Sequence, residues 1–125
     1  EETPVQVLNE KGKGNSTKSY MWVYSTSANT KKNISIFKYT PSRSGDYPKD
    51  FLEGFKGYLH TDGYSGYNKV KDIHQSLCWA HLRRYFADAL PKDLKSAEAS
   101  LPSKGIAYCN KLFEWERKFN DLTPE

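Results

Sequence analysis

Cysteine is almost absent: Cys78 and Cys109 are the two in 125 residues. Two thiols are too few for a disulfide framework and suit a reducing compartment, or are simply core residues. No apolar run approaches the roughly 18 residues of a membrane span, and no basic-then-apolar signal opens the chain. A soluble, intracellular protein with no membrane partner is therefore expected. Internal repeats and low-complexity tracts are missing, as are helix-turn-helix and zinc-finger signatures, so any sequence-specific reading of nucleic acid would fall to another domain. An opening Met is also lacking. The chain starts "EETPVQVL" in a strand-like pattern and stops at "LTPE" just after an apolar-periodic helix, which reads as a domain of a longer protein, truncated at both ends.

What is present is aromatic. Hydrophobic residues make up 37%, and 3 Trp, 9 Tyr and 6 Phe must supply much of the buried area of one domain spanning residues 1–125. A net charge of +4 and a pI near 9.0 favour polyanionic partners only modestly.

Along the chain, "PVQVL" alternates, "NEKGKGNSTKS" is a loose connection, and "YMWVYST" carries large residues on both faces, as a strand covered on both sides requires. "ISIFKYT" supplies a third strand, completing an antiparallel meander after the "SANTKKN" turn. In "PSRSGDYPKDFLEGFKG", Pro48 suits a first helical turn, Asp46 and Asp50 its positive end, and Gly57 the residue past the stop. "YLHT" is then a compact strand ending at Asp62 and, with a crossover helix before it, is predicted to run parallel to a strand of the meander. "GYSGYNKVKDIH" reads as a turn with one helical turn, "QSLCWA" as a fifth strand, and "HLRRYFADAL" as a helix with Leu82, Tyr85, Phe86, Ala89 and Leu90 on its apolar face. Beyond Pro91 and Pro102, Ser103 caps a helix over 103–122, a candidate start of a helical insertion. Tyr108, Leu112, Trp115, Phe119 and Leu122 form its stripe, widened by Ile106, Cys109 and Phe113.

Three strands, helix, strand, turn or helix, strand, helix is the element order of the ribonuclease H-like fold. The predicted class is thus α/β: a five-stranded mixed sheet, three strands as an antiparallel meander plus parallel strands, flanked by helices. At this point "EETPVQVL", "YMWVYS", "PSRSGDYPKDFLEGFKGYLHTDGYSGYNKV" and "CWAHLRRYFADAL" resemble the central domain of insertion-sequence-66 family transposases over nearly the whole chain. The resemblance implies a metal-dependent transposase of the Asp-Asp-Glu kind. Its cofactor would be two Mg2+ ions, or Mn2+, and its partners DNA, as transposon ends and target, and further copies in a synaptic complex. Its setting would be the bacterial cytoplasm, associated with the nucleoid.

Taken alone, Asp62-Gly63 is a common turn dipeptide. The resemblance makes Asp62 the second carboxylate of the triad, where anionic oxygens must bridge two ions roughly 4 Å apart. The first would fall at Glu1, a departure from the family's aspartate; either a glutamate replaces it or the aspartate precedes residue 1. As bare residues, Glu1 and Glu2 are solvated terminal charges. For the third carboxylate, Glu98, Glu114 and Glu116 all read as solvated surface, and the family's glutamate would lie beyond Glu125, leaving the segment inactive alone. Cys78 and His81 form a C-x-x-H element with no second pair to complete a zinc site. Packing and helix capping are its plain readings, whereas the resemblance turns His81 toward the scissile phosphate. Arg43, Lys49, Arg83 and Arg84 are candidate phosphate contacts or merely solvated cations. Tyr64 and Tyr67 either stack on an unpaired base or pack under their loop. Two other readings stay open: a catalytically incomplete DNA-binding or assembly module, and a nuclease that cleaves without strand transfer.

Overall fold

The computed structural model describes residues 1–14, 16–27 and 31–119, which fall into two compact units, residues 1–76 and a second that begins at Leu77. In the first, β1 (Glu2–Gln6), β2 (Lys18–Ser25) and β3 (Ser35–Thr40) form the expected antiparallel meander, with Glu2 opposite Trp22 and Trp22 opposite Lys38. Trp22 is fully buried. Its indole N–H donates to Thr40 Oγ1 at 2.8 Å, so the core's largest ring leaves no polar atom unmet. The connection expected to be loose is tied down: buried Ser19 donates to Glu10 Oε2 at 2.7 Å and accepts from Tyr39 at 2.9 Å.

One face of the meander is covered by helix α1 (Asp46–Phe51) and a 3-10 turn (Ser65–Lys69). Tyr24 stacks on Phe51 at 3.9 Å, and Tyr67 meets the Trp22 ring edge-on at 5.9 Å. The other face is not covered as predicted, since Phe37 is 67% exposed and Tyr39 is exposed on β3. Pro48 sits in the first turn of α1, where its missing N–H costs nothing, but the helix stops at Phe51 and the turn leaves through Gly54, not Gly57. The entry to α1 touches the 3-10 turn so closely that a Cβ on Gly45 would lie 2.5 Å from the Gly66 carbonyl. Any side chain there would push the two segments apart.

β4 (Gly57–Thr61) ends just before Asp62, as predicted, and pairs in parallel with β5 (Ile73–Leu77). The single five-stranded sheet is not formed. Among the described residues, five strands make two sheets, of three and two strands, and β4 does not join the meander. A cleft of about 610 Å3, walled by Glu1, Val23 and Tyr24 on one side and by Leu59 and His60 on the other, lies between them. Paired strands sit about 4.8 Å apart, which leaves no such space.

The second unit is helical: α2 (Trp79–Asp88), α3 (Leu94–Glu98) and α4 (Leu101–Phe119). Cys78 is not on a strand; it is the half-buried residue just before α2. α4 begins before Ser103, because Ser100 Oγ accepts from the Ser103 N–H at 3.3 Å and so caps the helix. Residues 120–122 of the predicted helix lie outside the described residues. Its buried line also differs from the predicted stripe. Cys109 is buried and Ile106 and Phe113 half-buried, while Tyr108 is 73% exposed and Trp115 and Phe119 are exposed. α2 explains this, for it packs through Phe86 against Gly105, where a Cβ would lie 2.7 Å from the ring. One neighbouring helix covers a narrow strip. On α2, correspondingly, Phe86 is half-buried while Leu82 and Tyr85 are exposed.

Candidate functional site

A polar cluster in the first unit gathers at the start of β1 and the end of β4. Alternation along β1 turns Glu2 to the Trp22 face, and its side chain is 0% exposed. Glu2 Oε1 accepts from both Arg43 Nε and Nη2 at 2.6 Å, and Oε2 accepts from the Tyr67 hydroxyl at 3.2 Å. A buried carboxylate needs such partners, since removing one leaves an uncompensated charge out of water.

Arg43 leans on the first carboxylate and reaches toward a second. Its Nη2 is 3.9 Å from Asp62 Oδ2, so the Glu2 and Asp62 oxygens can be no further apart than these two distances laid end to end. The guanidinium carbon sits over the Tyr64 ring, 3.9 Å from its centre, and the Tyr64 hydroxyl donates to the Arg43 carbonyl at 2.5 Å. Asp62 Oδ1 accepts from the Tyr64 N–H at 2.8 Å. Asp62 is therefore a turn residue through one oxygen and a member of the acidic cluster through the other.

The cluster also sets the acidities around it. Burial alone would lower the basicity of Arg43, but hydrogen bonding to Glu2 and its charge outweigh that and raise it. Burial first, and then the Glu2 charge, push the Tyr24 hydroxyl up to about 12. The same causes, in the same order, push Tyr67 up as well. Both phenols are thus neutral at any ordinary pH, and Tyr67 donates to Glu2.

Of the predicted site residues, Asp62, Arg43, Tyr64 and Tyr67 come together. Glu1 is exposed, and its backbone extends the ladder, its carbonyl accepting from Val23 N–H at 2.8 Å. Glu2, one residue on, is the carboxylate at the cluster. Tyr67 is 2% exposed between Trp22 and Tyr64, which is packing under the loop. Lys49 is exposed on α1, where its charge helps Lys69 hold the Asp46 carboxyl below its usual range. His81, Arg83 and Arg84 belong to the second unit. There Arg83 donates to Asn110 Oδ1 at 2.7 Å, Arg84 is exposed, and His81 is half-buried on α2. Glu98 ends α3, exposed, and Glu114 pairs with Lys118 at 2.5 Å on the surface of α4. Among the described residues, no group of three or more His, Cys, Asp and Glu is placed to hold a metal ion.

Sequence reasoning missed the role of Glu2 and the position of Arg43 as the inner cation. The parity of β1 against Trp22 carries the first signal, but only once the register is known. The second has no local signal, because the partners are 41 residues apart.

Known proteins supply the context. The family described as "Transposase IS66 family" matches residues 1–125. The chain is similar to the uncharacterized protein y4qI of Sinorhizobium fredii (strain NBRC 101917 / NGR234), with 32% identity covering 62% of this chain and 17% of that protein. It is also similar to the uncharacterized protein y4hP of the same strain, with 27% identity covering 72% of this chain and 19% of that one. The chain thus spans less than a fifth of these curated relatives. No solved structure matches it significantly. Among the described residues no helix is long and apolar enough to cross a membrane. With the family profile running from the first residue to the last, the chain belongs to the IS66 family of transposases.

Proposed function

We propose that this chain is part of the catalytic core of a DNA transposase, and that Glu2 and Asp62 are its contribution to the acidic centre of phosphodiester cleavage and strand transfer. One observation carries the reading: carboxylates from the start of β1 and the end of β4, 60 positions apart in sequence, flank a single cation. The element order supports a ribonuclease H-like core, in which such strands are neighbours. DNA, as element ends and target, is the substrate this reading requires, and a synaptic assembly of several copies in the bacterial cytoplasm at the nucleoid is its setting. His81, Arg83, Arg84 and Lys49 remain candidate contacts to the phosphate backbone.

The family implies divalent magnesium or manganese, and the residues do not fit a pair of such ions as they are arranged. The Arg43 guanidinium fills the space between Glu2 and Asp62, Asp62 Oδ1 is committed to a backbone N–H, and a third carboxylate is not gathered among the described residues. The same arrangement favours a second reading, a DNA-binding or assembly module that cannot cut.

The test is a longer protein that contains this segment, incubated with Mg2+ and a duplex bearing an element end. Cleavage and joining that fall about 100-fold or more in both Glu2→Gln and Asp62→Asn, with DNA binding kept, support the catalytic reading. Cleavage unchanged by both substitutions contradicts it. Salt-dependent binding without cleavage selects the module, and cleavage without joined product selects a nuclease.

A further inference from the structure

Helix α4 has two apolar faces, and α2 covers one of them. Cys109 is buried on the covered side with Ile106 and Phe113 half-buried beside it, whereas Leu101, Tyr108, Trp115 and Phe119 are all exposed on the other. The exposed residues are regularly spaced. Leu101, Gly105, Tyr108, Leu112, Trp115 and Phe119 follow one another by alternating steps of four and three, and in sequence the spacing runs on to Leu122. Packing on α2 needs only the first face; a second apolar line at this spacing is the seam of a coiled coil. We propose that this line is a self-association surface, on which the α4 helix of a second copy of the chain lies parallel. The proposal gives an assembly of several copies a contact surface, and it does not rest on Glu2 and Asp62 acting in catalysis.

The charges beside the seam choose the occupant. Lys104, Lys111 and Lys118 flank it on one side, all exposed. On the other side come Pro102, Cys109 and Glu116, of which the first two are half-buried and buried and Glu116 faces solvent. Flanking residues of a coiled coil set the orientation of the two helices. In an antiparallel pair the lysine row faces the same row of the second helix, which is repulsive. In a parallel pair opposite flanks meet, and Lys111 of one copy comes beside Glu116 of the other, five positions further on. Two-fold symmetry forms that pair twice. The chain therefore supplies both signs of charge that its own parallel copy requires.

The contact is centred on the later turns of α4. Near its start, Gly105 is taken up by the Phe86 ring of α2 and offers no side chain to a second copy. From Tyr108 onward the seam is built of Tyr, Leu, Trp and Phe, and aromatic rings of this kind carry most of the energy of an interface once water is excluded from them. Lys111 Nζ already leans over the Trp115 ring, 5.2 Å from its centre, so the cation stands at the edge of the seam where the charge of a second copy arrives.

The experiment is analytical ultracentrifugation of the 125-residue chain from about 1 µM to about 1 mM, with every variant checked for folding by circular dichroism. Wild type is expected to pass from monomer to dimer within that range. Trp115→Glu is expected to weaken the dimer about 100-fold or more, and Tyr108→Glu, at a more exposed position, makes the same test should Trp115→Glu not fold. Lys111→Glu and Glu116→Lys are each expected to weaken it about three- to ten-fold. Combining the two swaps the charges across a parallel seam and is expected to restore the wild-type affinity. A monomer throughout the range overturns the proposal and leaves the acidic centre untouched. A dimer that both Trp115→Glu and Tyr108→Glu leave intact overturns it as well, because the contact then lies elsewhere. Tighter association in Lys111→Glu, or a double variant no better than the single ones, overturns the parallel arrangement.

Discussion

The two units use polar side chains in opposite ways. In the first, they turn inward: Glu2 is fully buried, Arg43 and Tyr67 close on it, and Trp22 and Thr40 satisfy each other beneath. In the second, they turn outward. Its clearest ion pair, Glu114 with Lys118, is more than half exposed on both sides, and α2 meets α4 through Phe86, Gly105 and the buried thiol of Cys109. Exposed pairs are screened and interchangeable, whereas a buried carboxylate dictates what must stand beside it. Buried, fixed charge is therefore a feature of the first unit, and the packing of the second is built on shape.

Removing one cation from each unit sharpens this contrast. Arg43→Ala strands Glu2 and is expected to cost about 2–3 kcal/mol in urea unfolding, less than a fully buried pair because Arg43 is partly solvated. Arg83→Ala, which loses an exposed hydrogen bond to the neutral amide of Asn110, is expected to cost about 1 kcal/mol or less. Equal losses would break the comparison. The second unit should instead be sensitive to volume. Gly105→Ala places a methyl against the Phe86 ring and is expected to cost about 1–2 kcal/mol, recovered in part by Phe86→Leu. Ser100→Ala removes the cap of α4 and is expected to cost about 1 kcal/mol, seen as lost helical signal near the melting midpoint.

The smallest effect at neutral pH lies in the tyrosines. Tyr24 and Tyr67 have folded-state pKa values above the ordinary 10, so the stability tied to their neutral forms is complete below pH 10 and is lost as pH rises toward about 12 and beyond. Absorbance at alkaline pH should show Tyr24 and Tyr67 ionising late together with unfolding, and Tyr39, raised by its hydrogen bond with Glu10, also ionising above the usual range, among the nine tyrosines. In Arg43→Gln the Glu2 charge is less compensated, and Tyr24 and Tyr67 should ionise no earlier. A single ordinary transition for all nine would contradict the inward-facing description.

Much of the fold is legible in the chain. The alternation around Trp22, the Pro48 helix start and the short apolar run before Asp62 announce β2, α1 and β4, since each rests on local rules. The place of β4 outside the meander is not legible, because sheet pairing is decided by distant segments, and a cleft stands where pairing is expected. Which of the paired glutamates turns inward is not legible either, since a strand's two faces differ by one position and only the register against Trp22 settles it. Arg43 looks like a surface cation for DNA phosphates, and its partner Glu2 is too distant in sequence to announce itself. On α4, an apolar repeat broad enough for two faces hides which of them meets α2.

The central claim is that Glu2 at the head of β1 depends on Arg43 from beyond β3. A double-mutant cycle on unfolding free energy, using Glu2→Gln, Arg43→Gln and the two combined, tests it most directly. A coupling of about 1–3 kcal/mol is predicted, whereas additivity within about 0.5 kcal/mol would contradict the account.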